Sequence, residues 1–355
     1  MRAVVLGANG FVGSTLSARL RELGHDVLGV VRAAQDSGAH AAVVPSGLAS
    51  PARIAEVARG ADVLYCCAGD HSPRSSARAL AWVHVAGVEN VTAAARHAEV
   101  PRVVLLSCAD ATLTGGDRVH WKEDSLLGQP LGHVARTKLL GEEVALHASN
   151  ARLTVTSIRP AFLWGAGERR NLPALCAEGL RGGIRLLGSG SSLHSTAHID
   201  LVVDALIAAA TAPEVSGKAI HVADPDTLTA REFFDQLSSA LGLPAPRRSL
   251  YAFESACARL RAWLGSEGFL PEDVARRGRH GLLDCLRATT LLELKPRTSF
   301  EEGMRALHAW AREVGGPAAL AKQGRAPLTD ADADRYRAIA DEESKAQMGS
   351  GVVAR

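Results

Sequence analysis

Directly after the apolar run Ala3–Leu6 the chain reads Gly7-Ala8-Asn9-Gly10-Phe11-Val12-Gly13, and an amphipathic stretch at Phe11–Leu23 follows without a break. Glycines at these spacings permit a tight turn, let the backbone approach a pyrophosphate and let a helix pack closely on a strand. The phosphates then meet the free N–H groups of the helix N-terminus. Two glycines in a turn are common by chance, so the context decides: a strand before and a helix after separate this segment from a purely structural turn. The segment reads as a dinucleotide-binding turn. It predicts Gly7, Asn9, Gly10, Phe11, Val12 and Gly13 as cofactor-contacting positions.

The rest of the first half repeats the same grammar. Asp26–Val31, Ala41–Val44, Val63–Cys67, Arg102–Ser107 and Leu153–Ile158 are short apolar runs. Between them lie helical patterns near Pro51–Arg59, Ala77–His97 and Val134–Ser149. Runs without alternation are buried on both faces, and strand–helix–strand spacing implies parallel pairing. The expected fold is therefore α/β, a Rossmann-type doubly wound parallel sheet. After Arg159-Pro160 glycines punctuate a looser region with helices near Leu172–Leu180 and Ile199–Ala212 and a short strand at Ala219–Val222. The stretch 229–312 reads as mostly helical. The expected organisation is a dinucleotide-binding domain at 1–165 and a smaller, mostly helical substrate-binding region at 166–315, with about 198–225 returning to the sheet. A helical or disordered tail at 316–355 completes it.

Composition narrows the partners. Forty Lys and Arg against 38 Asp and Glu leave +2, with no long charge run, which argues against a nucleic-acid binder. No apolar stretch reaches the ~20 residues that span a bilayer. The start runs straight into a strand, which leaves no room for a signal peptide. Six cysteines in 355 residues do not form a secreted disulfide framework, and no metal-ligand spacing occurs. A cytoplasmic monomer or homodimer acting on a small molecule is expected, with no metal.

The end of the second strand bears on which dinucleotide binds. An Asp or Glu there holds a ribose 2′-OH in NAD sites. Here the place is held by Val31, followed by Arg32. Arginine pairs with a 2′-phosphate through charge-assisted bonds. The sequence thus favours NADP(H) over NAD(H); a solvated surface arginine is the alternative.

Several fragments in order carry a resemblance: GANGFVG (7–13), ADVLYCCAG (61–69), AWVHVAGVENV (81–91), PRVVLLSCA (101–109), ARTKLLGEE (135–143), IRPAFLWG (158–165), HIDLVVDAL (198–206) and LKPRTSFEEGM (294–304). Together they resemble the extended short-chain dehydrogenase/reductase family, in its branch of 3β-hydroxysteroid dehydrogenases and epimerase-like reductases. The resemblance implies cofactor contacts from Ala68 and Gly69 and from Pro160, Ala161 and Phe162 against the nicotinamide. It also implies a lysine that holds the nicotinamide ribose and tunes a tyrosine four residues before it. ARTK places that lysine at Lys138, and the tyrosine position is then Val134. The serine position falls on Cys108, with Ser107 beside it; the family's central-helix asparagine corresponds to His84. Gly47 stands where many relatives carry an Asp.

A valine transfers no proton. Either another group supplies it (His133 from a turn before the helix, His84, Cys108 or water), or the substrate needs no donor, or redox chemistry is gone. The expected activity is an NAD(P)-dependent oxidoreductase acting on a carbonyl or carbinol of a mostly apolar small molecule. A non-redox isomerase, lyase or cyclase that keeps the cofactor site and a dinucleotide-sensing regulator are the alternatives.

Overall fold

The computed structural model describes residues 1–32, 41–44, 47–125, 128–265, 268–324 and 326–350. Its centre is a seven-stranded sheet in which every neighbouring pair is parallel. From edge to edge the strands are Lys218–Val222, Thr154–Pro160, Arg102–Leu106, Val63–Cys66, Arg2–Leu6, Asp26–Val31 and Ala41–Val43. The strand order reverses between Arg2–Leu6 and Val63–Cys66, the crevice where open α/β sheets bind ligands.

Successive strand residues point to opposite faces, and both faces are apolar. Val5, Tyr65, Val104 and Ile158 meet Leu16, Leu20, Val202 and Leu206 on one side. Val4, Leu64, Val103 and Val155 meet Ile54, Val88 and Val91 on the other. Leu16 and Leu20, one turn apart on the helix Phe11–Glu22, are wholly buried. Burial of each contributes about 2 kcal/mol. This is the expected Rossmann-type fold.

Two departures from the sequence reading matter for the site. The single helix expected over 77–97 is three segments: an α-helix at Ala77–Ala81, a π-helical turn at Trp82–Ala86 and an α-helix at Gly87–His97. A Cβ at Gly141 would stand 1.7 Å from the His84 carbonyl oxygen, so the backbone of the wide turn touches the neighbouring helix where no side chain intervenes. The second departure lies in the C-terminal region, which holds small sheets as well as helices. One joins Leu228–Thr229, Leu193–His194, Gly281–Leu283 and Arg118–Trp121; the others pair Thr196–His198 with Phe162–Trp164 and Arg247–Ser249 with Arg185–Leu187. Strands this short leave no period in a sequence to read. A third apolar cluster, including Leu172, Phe233, Phe234, Leu237 and Leu307, forms the core there.

Beyond Gly315 come a short helix at Gly316–Leu320 and a long one at Asp330–Ser350. Arg325 and residues 351–355 of the stretch read as tail lie outside the described residues. No described helix is long and apolar enough to cross a membrane.

Candidate active site

The glycine turn leaves its first strand at Gly7, whose φ of +81° is a left-handed conformation that glycine adopts without strain. A Cβ there would lie 2.8 Å from the Ala68 nitrogen, and one at Gly13 would lie 2.2 Å from the Gly7 carbonyl oxygen. Both positions therefore exclude any other residue. The N–H groups of Gly7 and Ala8 donate to the Val30 carbonyl, which anchors the turn to the second strand. Gly10 caps the helix Phe11–Glu22 with no side-chain hydrogen bond. The first N–H groups of that helix, from Phe11 and Val12, lack intrahelical partners. Free donors beside a backbone cradle with no side chains fit a pyrophosphate. Asn9 is exposed at the rim, and Phe11 packs beneath Gly167.

Arg32 follows the second strand and lies across Gly47; a Cβ on that glycine would be 3.0 Å from Arg32 Cδ. The guanidinium is exposed and donates from Nη1 to the Tyr336 hydroxyl at 2.8 Å.

Lys138 lies on the helix Gly132–His147, one turn after Val134. It is buried at 6% exposure, and its Nζ donates to the Leu106 carbonyl at 3.3 Å. Gly69 stands so close that a Cβ would meet Nζ at 3.0 Å. Among the described residues no carboxylate accepts a hydrogen bond from this ammonium. Burial pulls its pKa below the ordinary lysine value. The nearest carboxylate along the helix, Glu142, is engaged by Arg159 Nε at 2.9 and 3.0 Å and by Ser157 Oγ at 2.6 Å.

The sequence placed His133 in a turn before the helix, which would aim it at the site. The helix instead begins at Gly132, so His133 sits in its first turn and is exposed. Gly132, at φ +84°, starts the helix where Glu272 closes in: a Cβ there would be 2.8 Å from Glu272 Oε1.

His84 is buried, and its hydrogen bonds fix its tautomer. Thr137 Oγ1 donates to the His133 carbonyl at 2.9 Å, so it accepts from His84 Nδ1–H at 2.8 Å. Nε2 then accepts the Asp70 N–H at 3.3 Å. Burial first, and the Lys138 charge second, hold this imidazole well below the usual histidine pKa. With its one proton committed and no tendency to gain another, His84 is a poor acid at neutral pH. It positions the helix of Lys138.

Ser107 is buried with no hydrogen-bond partner for its hydroxyl among the described residues, and with Lys138, His84, Ala68 and Glu142 it lines a small cavity beneath the strand ends. Cys108 comes next. Burial, and then the Asp110 charge, push its thiol up, so it stays protonated at neutrality. Asp110 is held by Arg276. The N–H of Ala161 donates to the Val222 carbonyl at 2.9 Å and that of Phe162 to Ser195 at 3.4 Å. Pro160 has no N–H, so this segment offers a ligand carbonyls and apolar side chains. The Phe162 ring packs on Phe233, 5.6 Å between centroids.

Residues that sequence reasoning passed over complete the cleft. Asp70, directly after Gly69, accepts from Ser72 N and Ser75 Oγ and pairs with Arg170 at 3.4 Å. His71 stacks edge-on to His84, with ring centroids 6.2 Å apart. Burial, then the Lys138 charge, keeps His71 neutral. None of these lies in a motif; only the loop position after the fourth sheet strand hints at them. All six cysteines are free, and no cluster of three or more His, Cys, Asp or Glu among the described residues could hold a metal ion.

A parallel sheet with a glycine cradle at its switch point and a buried lysine beside it defines a dinucleotide-dependent oxidoreductase of the extended short-chain type. The NAD dependent epimerase/dehydratase family matches residues 3–223, and the chain belongs to that family. Among relatives, a 2-alkyl-3-oxoalkanoate reductase of Stenotrophomonas maltophilia is 29% identical over 87% of this chain and 99% of its own. A 4-hydroxy-2-methyl-3-oxo-4-farnesyl-3,4-dihydroquinoline-1-oxide ketoreductase of Stigmatella aurantiaca is 29% identical over 92% of this chain and 99% of its own. The fold matches an epimerase of Methanothermobacter thermautotrophicus, with a TM-score of 0.72 at 19% identity over 88% of this chain and 92% of that one. It also matches a dTDP-glucose 4,6-dehydratase of Streptomyces venezuelae solved with NAD bound, with a TM-score of 0.69 at 22% identity over 88% and 97%.

Proposed function

We propose that this protein uses NADPH to reduce a ketone on an apolar small molecule that carries an alkyl or prenyl chain, and that the proton comes from a group other than tyrosine. One observation carries the reading. Lys138 is a buried ammonium with a single carbonyl partner among the described residues and no counter-ion hydrogen-bonded to it. Burying such a charge costs several kcal/mol unless hydrogen bonds compensate it, so a structural role alone leaves it unexplained. Ribose hydroxyls of a dinucleotide bound on the glycine turn would supply the missing acceptors.

In this reading the cofactor would lie along Gly7–Gly13 and Arg32 and reach Ala68, Gly69, Lys138 and the Pro160–Phe162 segment. When bound, it supplies the hydride. The free N–H groups of Phe11 and Val12 would hold the phosphates, and Lys138 would hold the ribose. Val134, on the helix of Lys138, and Phe162, two residues after Pro160, are partly exposed apolar residues, which suits a hydrocarbon substituent. Cys108, a protonated thiol at the family's serine position, hydrogen-bonds the ketone oxygen. Lys138 is the proton source: burial lowers its pKa and makes it a stronger acid. A solvent molecule beside Val134 would relay the Lys138 proton to the ketone oxygen. The relatives named for 3-oxo substrates with alkyl or farnesyl groups support the substrate class.

The test is NADPH consumption with 2-alkyl-3-oxoalkanoates and with prenylated cyclic ketones, accompanied by product analysis. Reduction of a member of either class, lost in Lys138→Met, is expected. Product formed without net cofactor oxidation, or no turnover with either class despite tight cofactor binding, would overturn the reading.

A further inference from the structure

The helix Asp330–Ser350 lies against the dinucleotide end of the sheet. Its approach is fixed at Leu328, whose carbonyl accepts the Ser76 N–H at 2.9 Å and whose N–H donates to Ser75 Oγ at 2.7 Å. Ser75 Oγ in turn donates to Asp70, in the loop after Gly69. Asp334 pairs with Arg78, and Ala333 is fully buried. Thus anchored, the helix places the half-buried Tyr336 on Arg32, 304 residues away in sequence.

The direction of that hydrogen bond matters. Arg32 Nη1 donates and the Tyr336 oxygen accepts, at 2.8 Å, so the phenol keeps its own O–H for another acceptor. Among the described residues Arg32 Nη1 is the one guanidinium nitrogen with a hydrogen-bond partner. Arg32 passes over Gly47, where φ is +56° and the lack of a side chain leaves room for its Cγ and Cδ methylenes. The arginine is therefore oriented, and a second donor stands beside it. Asp332 brings a carboxylate to the same helix, but Thr329 caps it through both its N–H and its hydroxyl at 2.8 Å, and this holds its pKa low.

We propose that Tyr336 is a specificity-determining residue of the dinucleotide site, which it completes from the C-terminal helix by fixing Arg32 and offering its phenolic O–H to a ribose 2′-phosphate. The proposal rests on the reading above that Arg32 faces the adenosine ribose. A phosphate accepts from the guanidinium and the phenol together, whereas a 2′-hydroxyl gains at most one of these bonds. Tyr336 therefore discriminates between NADPH and NADH more than it adds to overall affinity.

Isothermal titration of the full chain and of Arg32→Ala, Tyr336→Phe and Tyr336→Ala with NADPH, NADH, 2′,5′-ADP and 5′-AMP tests this. Tyr336→Phe, which keeps the ring and its packing, is expected to weaken NADPH and 2′,5′-ADP about five-fold, one hydrogen bond, and to leave NADH and 5′-AMP unchanged. Arg32→Ala is expected to weaken the same two ligands more than about tenfold. If Arg32→Ala has its effect and Tyr336→Phe has none, the role of Tyr336 is overturned while Arg32 keeps its own. If Tyr336→Phe weakens all four ligands alike, the helix only shapes the site and the proposal again fails. If Arg32→Ala changes nothing, the reading of Arg32 itself is wrong.

Discussion

Arg159 grips both carboxylate oxygens of Glu142 from the strand Thr154–Pro160, one turn along the helix from Lys138. Arg159 is 5% exposed and Glu142 1%, and Ser157 donates a further bond at 2.6 Å. The pair joins the helix of Lys138 to the strand that ends in Pro160, so it sets the spacing between the ammonium proposed to hold the ribose and the segment proposed to face the nicotinamide. Removing one partner strands a buried charge, which costs about 3–5 kcal/mol. Glu142→Gln is the milder cut and Arg159→Met the harsher. Both should lower the urea midpoint, and the double variant Glu142→Leu/Arg159→Met should recover much of the loss. A double variant no more stable than the singles would show that the pair is not self-contained.

Gly10→Glu tests the cradle. The helix N-terminus it caps has no side-chain cap, and a carboxylate there would fill the free N–H groups and repel a pyrophosphate. Dinucleotide binding should vanish in calorimetry while the circular dichroism spectrum persists. Unchanged affinity would mean that the phosphates lie elsewhere.

Local features were legible in the sequence and distant ones were not. The glycine turn and the Val134/Lys138 spacing lie within a few residues, and each is fixed by one turn of backbone. The Arg159-Pro160 dipeptide is recognisable, but nothing local shows that the arginine serves Glu142 or that the proline closes the strand. Arg170 on Asp70, Arg276 on Asp110 and Tyr336 on Arg32 join residues 100, 166 and 304 positions apart. No periodicity encodes such pairs. The π-helical turn at Trp82–Ala86 likewise depends on contact with the helix bearing Gly141, not on local propensity.

Cys108 should behave as a thiol rather than a nucleophile. Burial and the neighbouring Asp110 raise its pKa, so the thiolate is scarce at neutral pH. Alkylation by iodoacetamide should be slow near pH 7 and should not quicken until the solution is distinctly alkaline. Cys108→Ser, which keeps a hydrogen-bond donor of similar size, should retain turnover within a few-fold, whereas Cys108→Ala should lose about tenfold as the ketone oxygen loses its donor. Equal turnover in all three would remove Cys108 from the site.

Acid stability should depend on His221. The ring is fully buried, and burial, reinforced by the Arg159 charge, lowers its pKa from 6.5 to about 3. The unfolded chain binds a proton there below 6.5 that the folded chain refuses, so stability is full above that pH and falls as the pH drops toward 3. For one such group the loss amounts to about 2 kcal/mol near pH 5. Urea midpoints measured at descending pH should decline, and His221→Leu should decline less steeply whatever its starting stability. Parallel slopes would show that the ring is protonated in the fold.

Val134→Tyr asks whether the missing phenol is a defect or an adaptation. The helix places position 134 one turn before Lys138, where the family's tyrosine would stand. If a tyrosine were all the site lacked, the variant would gain turnover. In the proposed mechanism solvent beside Val134 carries the proton from Lys138, and a phenol would displace both that solvent and part of the substrate's volume; overpacking of this kind costs about 1–3 kcal/mol. Turnover of the cognate ketone should therefore fall about tenfold or more, with NADPH affinity unchanged because the cradle and Lys138 are intact. The pH profile supplies a second readout. Lys138 must be protonated to act as the acid, so turnover should fall as the pH rises through its pKa, which burial places below the ordinary 10.5. In Val134→Tyr the alkaline limb should move, because a phenol would then share the proton with Lys138. Raised turnover, or an alkaline limb that does not move, would count against a solvent path from Lys138.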